Sequence, residues 1–124
     1  MDQQHRMIAV IETGPYLARA KTRLSEDEQA AVVNVVASQP DAGVVIPSGG
    51  GIRKIRIAIG GKGKSGGARV IYYYHADDVP VFLLTVFTKG EQANLTAAER
   101  NALGVAAKRL ATKYREVQHG KRSI

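Results

Sequence analysis

The sequence predicts a single α+β domain with the chain order βααβββα, in which the first strand joins an antiparallel meander to complete the sheet. Three observations carry this prediction: a short apolar run opens the chain, three strand-like segments follow one another between residues 52 and 88, and two capping boxes mark helix starts. A length of 124 residues suits one hydrophobic core, so we expect one domain over residues 1–124, with flexible tails at 1–6 and 119–124.

The first third of the chain predicts one strand and two helices. Residues 7–13 (MIAVIET) are apolar and rich in branched side chains, as expected of a buried strand, and a Gly-Pro pair ends the run. Pro15 suits the first turn of a brief helix. Ser25 and Glu28 have the spacing of a capping box, so a second helix should follow Ser25 directly and end near Pro40.

The rest of the chain predicts three strands and a final helix. Isoleucines alternate with Lys54 and Arg56 in the first of these strands, which indicates a half-buried strand with one polar face. Thr96 and Glu99 form the second capping box, ahead of an amphipathic helix that should cover the core. The three strands are predicted at residues 52–59, 68–75 and 79–88, with a glycine-rich loop at 60–67 between the first two.

Positive charge is concentrated along the predicted meander. The chain has 18 Lys and Arg against 11 Asp and Glu, and all six charged residues between positions 42 and 76 are basic. Such segregation favours a polyanion such as nucleic acid as the partner, although lysines also protect exposed strand edges. Strand register decides whether the polar faces meet. If they do, one concave surface is lined by four cations and a tyrosine: Lys54, Arg56, Arg69, Lys89 and Tyr73.

The glycine-rich loop at residues 60–67 (GGKGKSGG) matches phosphate-binding patterns only superficially. Its glycines fit G-x-G-x-x-G, but a strand follows the loop, whereas a dinucleotide or P-loop site needs a helix N-terminus there. We therefore expect a flexible basic loop whose Lys62 and Lys64 follow a phosphate backbone. The chain has no cysteine and only three scattered histidines, so we expect neither a metal nor a cofactor.

Two longer runs of the sequence, GGGIRKIRIAIGGKGKSGGARVIYYY and LLTVFTKGEQANLT, are similar to those of a known family. They resemble the RelE superfamily of bacterial toxin–antitoxin systems, and in particular its HigB-like branch. The resemblance implies a RelE-like βααβββα domain that cleaves messenger RNA in the ribosomal A site and so inhibits translation. It also implies a cytoplasmic mRNA interferase that is neutralised by a cognate antitoxin with a DNA-binding domain, and that involves no membrane.

The resemblance also implies roles for single residues. Lys54 and Arg56 match a basic strand pair of the family. Arg69 matches the arginine that opens the next strand, and Lys89 matches a lysine after the last strand. We expect these four residues to be catalytic.

Three further residues are expected to contact the RNA: Lys62, Lys64 and Tyr73. The general acid is a separate matter, because Gly90 and Thr96 stand where the RelE archetype has an arginine and a tyrosine. Lys89 or Tyr73 is therefore the candidate for that role.

The implied reaction is attack of a ribose 2′-hydroxyl on the adjacent phosphate, with expulsion of the 5′-oxygen and no metal. Clustered Arg and Lys groups would stabilise the charge on the phosphoryl oxygens, and Lys54 is the candidate general base. Two other functions stay open: a gyrase-inhibiting toxin of ParE type, and a non-catalytic nucleic-acid-binding relative. The converging cations argue against the first, and the missing arginine at Gly90 favours the second.

Overall fold

The computed structural model describes residues 7–60 and 67–122, with side chains in the last helix as far as residue 118. The elements in chain order are β1 (Val10–Glu12), α1 (Gly14–Arg23), α2 (Glu26–Ser38), β2 (Val44–Val45), β3 (Ile52–Ile57), β4 (Ala68–Tyr73), β5 (Val81–Thr88) and α3 (Ala97–Arg122). One five-stranded sheet has the order β1-β5-β4-β3-β2, in which β1 is parallel to β5 and every other pair is antiparallel. The predicted α+β fold, a meander with the first strand joined to its sheet, is confirmed.

Side-chain caps start two of the helices where the sequence predicts them. Ahead of α2, the Ser25 hydroxyl accepts from the Glu28 amide at 3.0 Å, and the Glu28 carboxylate accepts from the Ser25 amide at 2.8 Å. Thr96 and Glu99 make the same reciprocal pair ahead of α3, at 3.0 and 2.8 Å. Each box satisfies two backbone amides that have no partner inside the helix, and both predictions are confirmed.

The helices form two layers, one on each face of the sheet. α1 and α2 cover a buried cluster that includes Tyr16 and Tyr72, and α3 covers a second cluster that includes Ile52 and Phe82. All six residues of β4 are buried as a result. The polar face expected for this strand is therefore not exposed to solvent along its length, because a central strand between two helical layers is covered on both sides.

A β-bulge in β5 changes which of its residues share a face. Between Ile71 and Tyr72 of β4, the register skips one residue of β5, Leu84. Phe82 and Leu84 pack under α3, while Val86 packs under α1 and α2. Strict alternation along β5 would place these three residues on one face, and it fails for Val86 because of the bulge.

Three elements differ from the expectations. β2 was not predicted, because two residues, both exposed, are too few to show a period. α1 has 10 residues and is longer than the brief helix expected. α3 continues to Arg122, so the tail expected from residue 119 is helical as far as that point. The other expected tail residues, 1–6 and 123–124, lie outside the described residues.

None of the helices in the described ranges is both long enough and apolar enough to span a membrane.

Candidate functional site

Three basic side chains project from the sheet face that α3 partly covers. Lys54 and Arg56 lie in β3 and Arg69 lies in β4, where Arg56 and Arg69 are direct partners in the register. Alternation explains this placement in β3: Ile55 and Ile57 pack against the α1–α2 layer, so Lys54 and Arg56, which alternate with them, face the other way. The register thus supplies the convergence that the sequence could only assume.

The three side chains differ in burial. Arg69 is 5% exposed, and its guanidinium donates to the Gly67 carbonyl at 3.4 Å. Lys54 is half-buried, with its Nζ 3.4 Å from Oδ1 of Asn94, and Arg56 is exposed. Positive groups held at fixed, neighbouring positions of a sheet favour a phosphate more than scattered, mobile surface lysines do.

Lys89 comes directly after β5 and joins the same end of the sheet. Its backbone amide donates to the Gly67 carbonyl at 3.1 Å, and the same carbonyl accepts from Arg69. The Lys89 side chain is exposed. One backbone carbonyl therefore connects the chain at Lys89 with the Arg69 guanidinium, beside the Arg56–Arg69 pair.

Lys62 and Lys64, the basic loop residues expected to contact RNA, lie outside the described residues. The two glycines that flank this part of the loop are described. The last pair of the β3–β4 ladder, Ile57 with Ala68, lies beside the paired arginines. Gly60 comes three residues after Ile57, and Gly67 directly precedes Ala68. The loop therefore leaves and rejoins the sheet next to the cations.

Tyr73 shares the face of Arg69 but lies at the opposite end of β4. Tyr73 is four positions after Arg69 along the strand, a distance of about 13 Å at roughly 3.3 Å per residue. The Tyr73 side chain is 5% exposed, packs in the cluster beneath α3, and stacks on His75 with 6.4 Å between ring centroids. α3 covers this half of the face, and the roles expected of Tyr73, stacking on a base or acting as the general acid, stay predictions.

The segment between β5 and α3 supplies polar residues that the sequence did not single out. Asn94 accepts from Lys54, and the Gln92 side-chain amide donates to the Asn94 carbonyl at 3.0 Å and to the Glu99 carboxylate at 3.2 Å. Glu91 forms salt bridges with two arginines of α1. No periodicity marks this segment. Its only signal in the sequence was the run KGEQ, which is part of the LLTVFTKGEQANLT run that resembles the RelE superfamily.

The chemistry open to this site follows from its basic side chains. Lys54, Arg56 and Arg69 can bind a phosphate and stabilise negative charge that grows on its oxygens. A lysine can also exchange a proton with a reacting group, which an arginine does not do at neutral pH. Within residues 7–60 and 67–122, no three His, Asp or Glu side chains are grouped so that they could hold a metal ion.

The structure thus defines a small α+β domain with a cationic sheet face. The family model for the RelE toxin of the RelE/RelB toxin–antitoxin system matches residues 17–120. This match runs from α1 to α3 and covers well over half of the chain, so the chain belongs to the RelE family of toxins. The partner of such a toxin is the antitoxin of the same system.

Proposed function

We propose that this toxin is a ribosome-dependent endoribonuclease of the HigB-like branch, which stops translation by cleaving messenger RNA in the ribosomal A site. The observation that carries the proposal is the direct pairing of Arg56 with Arg69, on the sheet face that also carries Lys54. Three cations on one face suit the phosphates of an RNA strand. Membership of the RelE toxin family supports the toxic outcome.

The proposed reaction is an internal transfer within the RNA. The 2′-oxygen of one ribose attacks the adjacent phosphorus, and the bond from that phosphorus to the 5′-oxygen of the next nucleotide breaks. The products are a 2′,3′-cyclic phosphate and a free 5′-hydroxyl. One proton leaves the attacking hydroxyl and one is added to the leaving oxygen, so the scheme balances without a metal or a redox partner.

The position of each basic residue suggests its role. Arg56 and Arg69 stabilise the phosphoryl oxygens, where negative charge grows in the transition state. Lys54, held beside Asn94, takes the proton of the 2′-hydroxyl, a step that requires it to react as the neutral amine and that leaves it as the ammonium. Lys89, with its exposed side chain after β5, donates a proton to the 5′-oxygen. Two further residues would contact the RNA backbone: Lys62 and Lys64.

Cleavage of a defined messenger RNA on programmed ribosomes tests the proposal. The wild-type protein should cut within the A-site codon, as primer extension detects, and should cut naked RNA far less. Lys54→Ala and Arg69→Ala should each lower the cleavage rate at least about 100-fold. Lys21→Ala is the matched control, because it removes an exposed basic side chain of α1 on the other layer and should cleave normally.

Three results would contradict the proposal. Normal cleavage by the folded Lys54→Ala and Arg69→Ala variants would show that the cationic face is not the active site. Inhibition of DNA supercoiling by gyrase, without RNA cleavage, would indicate a toxin of ParE type. Binding to ribosomes or RNA without any cleavage would indicate a non-catalytic relative.

A further inference from the structure

The Glu91 carboxylate is the centre of a hydrogen-bonded network at the border of the candidate site. Arg23 donates to it from Nε at 2.7 Å and from a second guanidinium nitrogen, and Arg19 donates at 3.2 Å. On its other side, the carboxylate accepts from the Thr88 backbone amide at 2.8 Å. The hydrogen bonds from Arg23, together with those from Thr88 and the charge of both arginines, lower the pKa of Glu91 to about 2.

Arg19 connects this network to the sheet. Its Nε donates to the Val86 carbonyl at 2.7 Å. That carbonyl belongs to the part of β5 beyond its pairing with β1, which ends at Leu83. Glu91 therefore joins three parts of the fold: helix α1, the last strand, and the segment that follows the strand.

The same network closes a turn around Lys89. The Thr88 carbonyl accepts from the Glu91 amide at 3.0 Å and from the Gln92 amide at 3.3 Å. The Thr88 amide in turn donates to the Glu91 carboxylate, so both backbone groups of Thr88 are engaged. Lys89 and Gly90 form the tip of this turn, so the Glu91 carboxylate helps to hold Lys89, together with the bond from the Lys89 amide to the Gly67 carbonyl.

The segment continues from the turn to Lys54. The Gln92 side chain donates to the Asn94 carbonyl at 3.0 Å, and the Asn94 side chain accepts from Lys54 Nζ at 3.4 Å. A displacement of the turn would move Asn94 as well. Two of the four residues placed in the catalytic site thus depend on the segment that Glu91 holds.

We propose that Glu91 is a positioning residue: its bridges to Arg19 and Arg23 hold Lys89 and the Asn94–Lys54 contact in the geometry needed for cleavage. Glu91 acts through these residues and does not contact the RNA. The inference rests on the proposed ribonuclease function. Positioning of Lys89 and Lys54 affects the cleavage rate because a misplacement of about 1 Å in a reactive group can lower a rate by about 100-fold.

The charge of Glu91 separates a positioning role from a binding role. A carboxylate beside a site for a polyanion repels RNA, and here two arginines offset that repulsion. When Glu91 is neutralised, the local positive charge rises, so RNA affinity should stay the same or increase. A fall in kcat with KM unchanged or lower is therefore the signature of lost positioning.

The test compares Glu91→Gln with Asp78→Asn. Asp78 pairs with Arg115 at 2.8 Å in another solvent-accessible bridge, which lies by the β4–β5 connection at the far end of the sheet. Each variant loses one negative charge and one bridged carboxylate. On programmed ribosomes, we expect kcat of Glu91→Gln to fall about 10- to 100-fold without a rise in KM, and Asp78→Asn to match the wild type.

Arg23→Met provides a second variant in case Glu91→Gln fails to fold. It should lower kcat in the same direction, and the double variant with Glu91→Gln should fall less than the two single effects combined, because both changes break the Arg23–Glu91 contact. Backbone hydrogen exchange adds a readout that needs no catalysis. Exchange should become faster at residues 88–94 of Glu91→Gln and stay unchanged in β3 and β4.

A wild-type kcat in folded Glu91→Gln would overturn the positioning role. If the wild-type protein itself does not cleave messenger RNA on ribosomes, the proposed ribonuclease function fails instead. In that case unchanged exchange at residues 88–94 would also overturn the claim that Glu91 holds the turn, and faster exchange there would support it.

Discussion

Arg56 and Arg69 stand directly opposite each other across β3 and β4, on the same face of the sheet. Like charges in paired positions of neighbouring strands destabilise a sheet by roughly 0.2–1 kcal/mol. Arg69 is 5% exposed, so solvent screens its charge less than that of exposed Arg56. A pair that lowers stability in this way is expected where function, here the proposed binding of RNA, takes precedence.

Arg56→Gln should raise the free energy of unfolding while it abolishes RNA cleavage. The variant keeps a polar side chain of similar length and removes the charge opposite Arg69. We expect a gain of roughly 0.2–1 kcal/mol in urea unfolding and a loss of at least about 100-fold in cleavage rate. Lys21→Gln controls for the general loss of one positive charge. A less stable Arg56→Gln protein would contradict the repulsion.

Two fully buried tyrosines, Tyr72 and Tyr16, differ in how their hydroxyls are satisfied. The Tyr72 hydroxyl donates to the Pro40 carbonyl at 2.7 Å and accepts from the Gly43 amide at 2.8 Å. The Tyr16 hydroxyl has no hydrogen-bond partner within the part of the chain that the structure describes. Burial, together with the nearby charge of Glu12, raises the pKa of Tyr16 to about 12.

Tyr72→Phe should therefore lower the free energy of unfolding by about 1–3 kcal/mol, because two hydrogen bonds are lost and the Gly43 amide is left unsatisfied. Tyr16→Phe should be neutral or stabilising, because it removes a buried polar group that gains nothing from the fold. Urea unfolding of both variants at neutral pH measures the contrast. Equal losses in the two variants would argue against the assignment of these hydroxyls.

Gly104 allows α3 to approach the turn before β3. A Cβ at this position would lie 2.6 Å from the Gly49 carbonyl oxygen, closer than such atoms can approach. Gly104→Ala should lower stability by about 1–3 kcal/mol, although alanine normally favours a helix interior over glycine by about 1 kcal/mol. Gly14→Ala is the control, because nothing lies within 4 Å of its added Cβ. Thermal unfolding of the pair measures this, and a stabilised Gly104→Ala would contradict the close approach.

Glu91 also predicts how stability depends on pH. Its pKa in the folded protein is about 2, against an ordinary value of 4.5. Because the folded-state pKa is depressed, the contribution of this carboxylate is complete well above pH 4.5 and is lost as the pH falls from there toward 2. The stability difference between wild type and Glu91→Gln should be constant at neutral pH, shrink on acidification, and shrink also with added salt. Urea unfolding across the acid range measures it, and a difference that persists at the acid end would contradict the bridges.

The elements with local signals were predictable from the sequence. The capping boxes at Ser25 and Thr96 depend on residues three positions apart, so the helix starts could be read directly. Whether Lys54 and Arg69 meet depends on strand register, which is set by pairings across the sheet and not by either strand alone. A common face could be assumed from the sequence, and only the pairing of β3 with β4 establishes it.

The remainder of the site depends on contacts between distant parts of the chain. Glu91 and Arg23 are 68 residues apart, and Glu91 lies in an irregular segment without a period, so nothing local marks the bridge. The burial of Tyr73 could not be predicted for a similar reason, because it comes from helix α3 and not from its own strand.

The extra residue at Leu84 decides on which side of the sheet the chain arrives at Lys89. With Leu84 accommodated in the bulge, Thr85 pairs with Ile71 and Phe87 pairs with Arg69. Lys89 comes two residues after Phe87, so alternation gives it the same side of the sheet as Phe87. If the same residues paired without the bulge, strict alternation would turn Lys89 toward the opposite helical layer, with every side chain retained. In this strand the bulge, as much as the identity of the residues, determines which side chains reach the cationic face.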